Sequence, residues 1–254
     1  MISRPIAVFD SGLGGISVLR RLIRLLPQED FLYFGDSRNA PYGSRPTDEI
    51  RALTLENADM LFARGVKALV VACNTATSAA IDELRARYPD RIIIGIEPAL
   101  KLAVSRHPGG RILVMATDAT LREKKFAALM DRFDVQCRIL KCPCPTLVGF
   151  VERGELSGEA VQAALQALLR DYLDPAPDAV VLGCTHFPFL APAIRQVVGD
   201  TPELLDGADG TAKETKRRLS EAGLLRSGAP GHVEFLNSLH TPEILMLSET
   251  LLSV

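Results

Sequence analysis

The sequence predicts an α/β protein built from two similar lobes, each with a mostly parallel sheet. Short apolar runs alternate along the chain with longer segments of helical period, which is typical of parallel sheets covered by helices. Runs such as "ALVVAC" and "AVVLGC" are apolar without alternation, as expected of strands buried on both faces. One pattern of strand and turn also occurs twice, which indicates two related halves.

The strands are predicted from the apolar runs, which are short and rich in Val, Ile, Leu and Phe. In chain order they are 6–9, 31–34, 68–72, 92–96, 112–115, 135–140, 179–182, 203–205 and 233–235.

The helices are predicted from apolar residues at helical spacing between these runs. In "GISVLRRLIRLL" the apolar residues form one stripe: Ile16, Leu19, Ile23 and Leu26. "TDEIRALTLENADMLFARG" predicts a helix capped by Thr47 and ended by Gly65. "SGEAVQAALQALLRDYL" predicts a helix capped by Ser157.

The repeated pattern is seen in two pairs of similar segments. "KALVVACNTAT" (67–77) aligns with "DAVVLGCTHFP" (178–188), and "IAVFDSGLGG" (6–15) aligns more faintly with "ILVMATDAT" (112–120). Both pairs have similar offsets, which indicates two related α/β halves rather than a short-period solenoid.

Composition excludes several classes of protein. The net charge is −2, and no Lys/Arg block or acidic tail suggests contact with nucleic acid or a membrane surface. Aromatic residues make up only 6% and Trp is absent, so little material exists for stacking on bases. The amino terminus does not resemble a signal peptide, and no apolar run approaches the roughly 18 to 20 residues that span a bilayer. We expect a soluble, cytoplasmic protein.

The five cysteines are not predicted to form disulfides or a metal site. A cytosolic chain rarely holds a disulfide framework, and "KCPCP" has no second pair or neighbouring His to complete a zinc tetrahedron. Cys137, Cys142 and Cys144 are therefore interpreted as small apolar core residues.

Cys73 and Cys184 differ from the other cysteines because each follows an apolar strand, where α/β sheets bind ligands. Small polar residues that could open a helix come next: Asn74, Thr75 and Thr77 in one half, Thr185 and His186 in the other. A thiol near a helix amino terminus is expected to ionise more readily. Two thiols on opposite sides of one carbon are what inversion requires, because one removes a proton and the other delivers one.

Further polar groups lie at the ends of the first two strands. Asp10 and Ser11 lead into "DSGLGG", whose turn could hold a carboxylate through its N–H groups. The glycines do not reproduce a dinucleotide fingerprint, because position 17 is Ser. The segment 35–45, "GDSRNAPYGSR", predicts a rigid binding loop.

Two more residues are candidates beside the thiols. The imidazole of His186 could favour the thiolate of Cys184 or protonate a substrate group. Glu152, in "LVGFVERGEL", reads on its own as a solvated helix carboxylate.

The order "AVFDSGLGG", "GDSRNAPYG", "VVACNTAT" and "VLGCTHFP" resembles the bacterial glutamate racemases, within the cofactor-independent aspartate/glutamate racemase superfamily. The resemblance runs from Ile6 to the "LLDGADGTAKET" segment at 204–215. It implies two α/β lobes with the active site in the cleft between them. The chain would return to the first lobe after the second, giving lobes of 1–97 plus 207–254 and 98–206, with crossings at Pro98 and Gly207.

The resemblance also implies roles for individual residues. Cys184 would deprotonate L-glutamate and Cys73 D-glutamate, assisted by His186 and Asp10 respectively, with Asp36 and Glu152 as supporting carboxylates. The substrate-binding residues would be Asp10, Ser11, Pro41, Tyr42, Gly43, Cys73, Asn74, Thr75, Thr117, Thr120, Cys184, Thr185 and His186. The family uses neither pyridoxal phosphate nor metal, usually forms homodimers, and supplies D-glutamate for peptidoglycan and hence for cell wall and cell shape.

Two segments depart from the commonest family pattern. "MATDAT" has Ala116 and Ala119 where many members have Gly, although Thr117 and Thr120 keep the hydroxyls. "EPAL" at 97–100 lacks the Gly that often follows the proline. Neither change removes a catalytic group. The chain has no long amino-terminal extension of the kind found in some members, so activation by a precursor through such an extension is not expected.

Three alternatives stay open. An aspartate or other acidic amino-acid racemase of the same superfamily would use the same two thiols, because one methylene is a small discriminator. A thiol nucleophile enzyme, with Cys184 attacking a carbonyl and His186 as base, would leave Cys73 unexplained. A non-catalytic binder of acidic amino acids predicts no exchange of the α-proton with solvent.

Overall fold

The computed structural model describes residues 2–97 and 99–254, and the side chain of Lys125 lies outside that description. The strands are β1 (Ile6–Asp10), β2 (Phe31–Gly35), β3 (Ala68–Val71), β4 (Ile92–Gly95), β5 (Arg111–Ala116), β6 (Arg138–Pro143), β7 (Ala179–Leu182), β8 (Glu203–Leu205) and β9 (Val233–Asn237). The helices are α1 (Ile16–Leu25), α2 (Thr47–Ala63), α3 (Asn74–Arg87), α4 (Leu100–Arg106), α5 (Asp118–Arg122), α6 (Lys124–Asp134), α7 (Leu147–Glu152), α8 (Glu159–Leu169), α9 (Ala191–Val198), α10 (Ala208–Glu221) and α11 (Pro242–Ser253). Within the described residues, no helix has the length and apolar character needed to cross a membrane.

The strands form two parallel sheets, as the alternation of strands and helices predicts. The first sheet has the order β4-β3-β1-β2-β9 and the second β6-β5-β7-β8. Read from β2, the first sheet runs β2-β1-β3-β4, so it has the same order as the whole second sheet, with β9 added at its edge. In this correspondence β3 matches β7 and β1 matches β5, which agrees with the repeat in the sequence.

All nine predicted strands are present, and only the sixth has clearly different bounds. It begins later than predicted, at Arg138, because α6 ends in a turn in which the N–H groups of Gln136 and Cys137 both donate to the carbonyl of Phe133. These donors are therefore not available to a sheet. Val135 is left 86% exposed despite its high strand propensity.

The predicted helix starts are less accurate than the predicted strands. Thr47 is the first residue of α2 and not its cap, because Pro46 occupies the cap position and offers no side-chain acceptor. Ser157 does not cap α8, because the cap is Gly158 at φ 103°, a conformation that a β-carbon disfavours. Gly65, at φ 80°, follows the end of α2 as predicted.

The lobes are packed together through a common apolar core. Ile6 and Val8 of β1 belong to the same cluster of buried side chains as Leu113 of β5 and Val180 of β7. Leu19 of α1 belongs to the same cluster. Burial of this apolar surface holds the two carboxyl-terminal strand edges close to each other.

A buried ion pair anchors the far end of the first sheet. The side chains of Lys67 and Glu29 are each 1% exposed and form an ion pair. Lys67 Nζ also donates to the carbonyls of Ile2 (2.8 Å) and Leu224 (2.9 Å), and Glu29 Oε1 accepts from the N–H of Arg226 (2.8 Å). Burial of the pair is tolerated because these extra hydrogen bonds satisfy both groups. The pair joins segments from both ends of the chain at the first sheet.

The division into lobes at 97/98 and 206/207 stays a prediction, supported by the membership of the strands in the two sheets. Pro98 lies outside the described residues. The other proposed crossing, Gly207, lies against the backbone of Glu97, because a β-carbon at this glycine would be 2.2 Å from the carbonyl oxygen of Glu97.

Candidate active site

The two cysteines singled out in the sequence lie in one buried site at the carboxyl ends of the two sheets. Cys73 follows β3 and Cys184 follows β7, and both are buried. Residues at the end of β1 connect them: Ser11 Oγ lies 3.5 Å from Cys73 Sγ, and Asp10 accepts a 3.0 Å hydrogen bond from Thr185 Oγ1. The thiols are close enough for negative charge on Cys184 to contribute to the pKa of Cys73.

Cys73 is the amino-terminal cap of α3, and its Sγ accepts a hydrogen bond from the N–H of Ala76 at 3.4 Å. The prediction that this position favours the thiolate is wrong. Burial and the neighbouring Asp10 carboxylate raise the pKa of the Cys73 thiol to about 12, outweighing the hydrogen bonds from Ser11 and Ala76. Cys73 is therefore a protonated thiol at neutral pH.

Cys184 belongs to a chain of three side chains. Its Sγ lies 3.5 Å from His186 Nδ1, and His186 Nε2 lies 2.6 Å from Glu152 Oε1. Burial opposes a charge on His186, but the contacts with Cys184 and Glu152 outweigh it and raise the pKa of His186 well above its usual value. The helical turn after Cys184 begins at Phe187 with His186 as its cap, so His186 lies at a helix start as the sequence suggested, and Thr185 precedes it.

Glu152 is not the solvated carboxylate that it resembles in isolation. It ends α7, and Oε1 accepts from the N–H of Leu13 at 2.6 Å as well as from His186. Its Oε2 lies 3.4 Å from Ser37 Oγ. Because these partners come from three separate segments, only the tertiary structure reveals that this carboxylate holds the imidazole.

Asp10 is fully buried at the end of β1. Its Oδ1 accepts from the N–H of Gly12 at 3.0 Å, and its Oδ2 accepts from Thr185. Burial raises the pKa of Asp10, while His186 and the two hydrogen bonds oppose the rise. The "DSGLGG" turn does hold carboxylates with its N–H groups, but they belong to the protein itself: Gly12 binds Asp10 and Leu13 binds Glu152.

Asp36 holds the loop that follows β2. It accepts hydrogen bonds from Tyr42 Oη at 2.7 Å, from Asn39 Nδ2 at 3.0 Å and from Asn57 Nδ2 at 3.2 Å. Tyr42 is buried in consequence, while Pro41 beside it is exposed. The Asp36 carboxylate thus fixes Tyr42, and its hydrogen-bond partners are loop and helix side chains rather than the thiols. Pro41 and Glu152 both line a cavity of about 580 Å³ on this side of the site.

The predicted hydroxyls form a cluster that joins the two lobes. Thr75 Oγ1 lies 3.1 Å from the hydroxyls of both Thr117 and Thr120, and those two are 2.9 Å apart. Gly43 packs on them so closely that a β-carbon would lie 2.7 Å from Thr117 Cβ. Asn74 is only half-buried and lines a separate cavity with Thr120.

The other three cysteines are free and lie in apolar clusters, as predicted. Cys142 and Cys144 are 3.7 Å apart at Sγ. Among residues 2–97 and 99–254, no group of three or more His, Cys, Asp or Glu side chains is arranged to hold a metal ion.

Several residues that shape the site have no signal in the sequence. Tyr33, in the middle of β2, donates to the carbonyl of Gly12 at 2.7 Å. Ser17, in α1, donates to the carbonyl of Thr185 at 2.9 Å. Both read as ordinary members of a strand and a helix, because their partners are distant in the chain.

The pKa of Cys73 gives a first test of the site. Removing the Asp10 charge with Asp10→Asn is expected to lower this pKa, because the thiolate would no longer form beside a carboxylate. The measurement is the pH dependence of iodoacetamide labelling of Cys73, followed by peptide mass spectrometry in a Cys184→Ala background. Asp118→Asn, at the half-buried first residue of α5, is the control that should leave the profile unchanged. An unchanged or raised pKa in Asp10→Asn would contradict the assigned cause.

Comparison with known proteins gives a consistent result. Residues 6–215 match the family described as Asp/Glu/hydantoin racemase. Among curated proteins, a glutamate racemase from Clostridium perfringens is 46% identical over 251 residues, covering 98% of this chain and 96% of that protein.

Solved structures agree with the sequence comparison. A glutamate racemase from Thermus thermophilus in complex with β-chloro-D-alanine is 37% identical with a TM-score of 0.85, covering 98% of this chain and 93% of that one. A glutamate racemase from Francisella tularensis in complex with D-glutamate is 28% identical with a TM-score of 0.89, covering 100% and 95%.

Proposed function

The chain belongs to the Asp/Glu/hydantoin racemase family, and from this membership we propose that it interconverts L- and D-glutamate by proton transfer at the α-carbon between two thiols. The observation that carries the proposal is the meeting of Cys73 and Cys184 in one buried site, at equivalent ends of two similar sheets. Each thiol has a different set of partners, and we propose that each acts on one face of the substrate.

The two thiols are suited to opposite tasks in the conversion of L- to D-glutamate. Cys184 would remove the α-proton, because a cationic His186 beside its Sγ attracts the negative charge of a thiolate. Cys73, whose pKa is about 12, would hold the proton that is delivered to the opposite face. After one turnover the protonation states are exchanged, and the reverse reaction restores them.

The surrounding residues would hold the two thiols in place. We call each thiol, with the residues that contact it, one arm of the site. Glu152 fixes the orientation of His186 by accepting a hydrogen bond from Nε2. Asp10 lies between the arms, since it influences the pKa of Cys73 and accepts from Thr185. Asp36 would act through Tyr42, which it fixes in the loop.

The substrate would lie against polar side chains from both lobes. We place Ser11, Tyr42, Gly43, Thr75, Thr117 and Thr120 around it, together with Pro41, Asn74, Thr185 and His186. The buried hydroxyls of the threonine cluster would turn from one another to donate to a carboxylate, and the absence of competing bulk solvent would strengthen each hydrogen bond.

The wider setting follows from the family resemblance. We propose a cytoplasmic homodimer that needs no added cofactor and supplies D-glutamate for peptidoglycan. The distribution of charge, with a net value of −2 and no basic block, gives no reason to add a nucleic acid or a membrane to its partners.

The test is incubation of the purified protein with L-glutamate and, separately, L-aspartate in deuterated water without added cofactor. Chiral chromatography and mass spectrometry then report the enantiomer and the label at the α-carbon. We expect D-glutamate that carries one deuterium, with little change in aspartate.

The other outcomes separate the alternatives. Faster conversion of aspartate would identify a different acidic amino-acid racemase, and retained protons with unchanged chirality would indicate a binder. A covalent adduct on Cys184 with a carbonyl substrate would indicate a thiol nucleophile.

A further inference from the structure

The carbonyl of Thr185 lacks a donor from its own turn. In a 3₁₀ turn the carbonyl of one residue accepts from the N–H three residues later. The neighbouring carbonyls follow this rule: Cys184 accepts from Phe187 at 3.0 Å and His186 accepts from Phe189 at 3.1 Å. The residue three positions after Thr185 is Pro188, which has no N–H.

The missing donor is supplied by the other lobe. Ser17 is the second residue of α1, is 8% exposed, and places Oγ 2.9 Å from the Thr185 carbonyl. The same hydroxyl lies 2.8 Å from the carbonyl of Gly14, so its single proton is shared between two carbonyls. This is a side-chain hydrogen bond that joins the start of α1 to the Cys184 segment.

Thr185 is consequently held at two points. Its side chain donates to Asp10 Oδ2 at 3.0 Å, and its carbonyl accepts from Ser17. Cys184 and His186 flank Thr185, and their 3.5 Å contact depends on the direction of the backbone between them. Gly14 packs against Thr185 and His186, since a β-carbon there would lie 2.5 Å from Thr185 Oγ1 and 2.3 Å from His186 Nδ1.

We propose that Ser17 is a positioning residue for one arm of the racemase, holding the Cys184–His186 segment in the geometry in which Cys184 acts as the base. This inference rests on the proposed function. The Ser17 hydroxyl bonds to Gly14 and Thr185, whereas Cys73 is held by Ser11 and Ala76. The loss of Ser17 should therefore impair proton removal by Cys184 and spare proton removal by Cys73.

The two arms can be measured separately by elimination, which needs one base. Removal of the α-proton from 3-chloroglutamate expels chloride, and the resulting enamine takes up water to give 2-oxoglutarate and ammonium. In a Cys73→Ala background the L-enantiomer reports on Cys184. In a Cys184→Ala background the D-enantiomer reports on Cys73.

Ser17→Ala is expected to lower the elimination rate about tenfold in the Cys73→Ala background and less than twofold in the Cys184→Ala background. Two further changes should restore the Cys184 arm. Ser17→Thr keeps the hydroxyl, and Pro188→Ala supplies the missing backbone N–H to the Thr185 carbonyl when combined with Ser17→Ala. If Ser17 had a purely structural role, Ser17→Ala would lower the elimination rate in both backgrounds, and Pro188→Ala would not restore it.

An equal fall in both backgrounds, no fall in either, or failure of both restoring changes would overturn the inference. If neither Cys73→Ala nor Cys184→Ala releases 2-oxoglutarate while Ser17 is intact, the proposed function fails instead. The inference is then decided by NMR of protein labelled with ¹⁵N-histidine. Ser17→Ala should move the ring signals of His186 and leave those of His107, His232 and His240 in place, and an unmoved His186 would overturn it.

Discussion

Replacing either Cys73 or Cys184 with alanine is expected to reduce racemisation of glutamate by at least about 10³-fold in both directions. The reason is that inversion needs a base on one face of the α-carbon and an acid on the other, and each general acid or base contributes roughly 10²–10⁴-fold. One remaining thiol could only return the proton to the face from which it came. The measurement is kcat for L- and D-glutamate by circular dichroism.

The single variants should keep one partial reaction each. Cys73→Ala is expected to eliminate chloride only from the L-enantiomer of 3-chloroglutamate, and Cys184→Ala only from the D-enantiomer. Cys137→Ala is the matched control, because Cys137 is equally buried but lies in a separate apolar cluster. Near-normal racemisation by either variant of the site would show that the thiol concerned is not a required base.

Replacing Gly14 with alanine is expected to lower kcat for glutamate about 10²-fold without unfolding the protein. An added β-carbon would lie 2.3 Å from His186 Nδ1 and 2.5 Å from Thr185 Oγ1, so both side chains must move. Displacement of a catalytic group by about 1 Å can cost about 10²-fold in rate. The loss should appear in kcat, because His186 belongs to the proton-transfer arm of Cys184, and KM should rise as well, because Thr185 and His186 also lie against the proposed substrate.

The control for Gly14→Ala is Gly210→Ala in α10. Apart from its chain neighbours and the backbone of its own helix, no described atom lies within 4 Å of a β-carbon added at Gly210, and alanine restricts the unfolded chain more than glycine does. This variant should keep full activity and show equal or slightly higher resistance to urea. Full activity in Gly14→Ala would contradict the close packing of the glycine turn on His186.

The differences between prediction and structure have specific physical causes. The sequence correctly located both thiols because central parallel strands are unbroken apolar runs, and the residue after such a run lies at the ligand-binding edge. It misjudged the ionisation of Cys73, because a helix amino terminus is visible in a sequence and burial beside Asp10 is not. Local cap assignments at Thr47 and Ser157 failed for a similar reason: adjacent residues took the cap position.

The sequence by itself therefore determined the α/β class, the nine strands, the two related halves and the positions of Cys73 and Cys184, since all of these depend on local periodicity and on order along the chain. Only the tertiary structure decided that Glu152 contacts His186, that Asp36 fixes Tyr42, and that Ser17 contacts Thr185. The first and third of these contacts join residues far apart in the chain, and their energies depend on distance and burial in three dimensions, which periodicity does not encode.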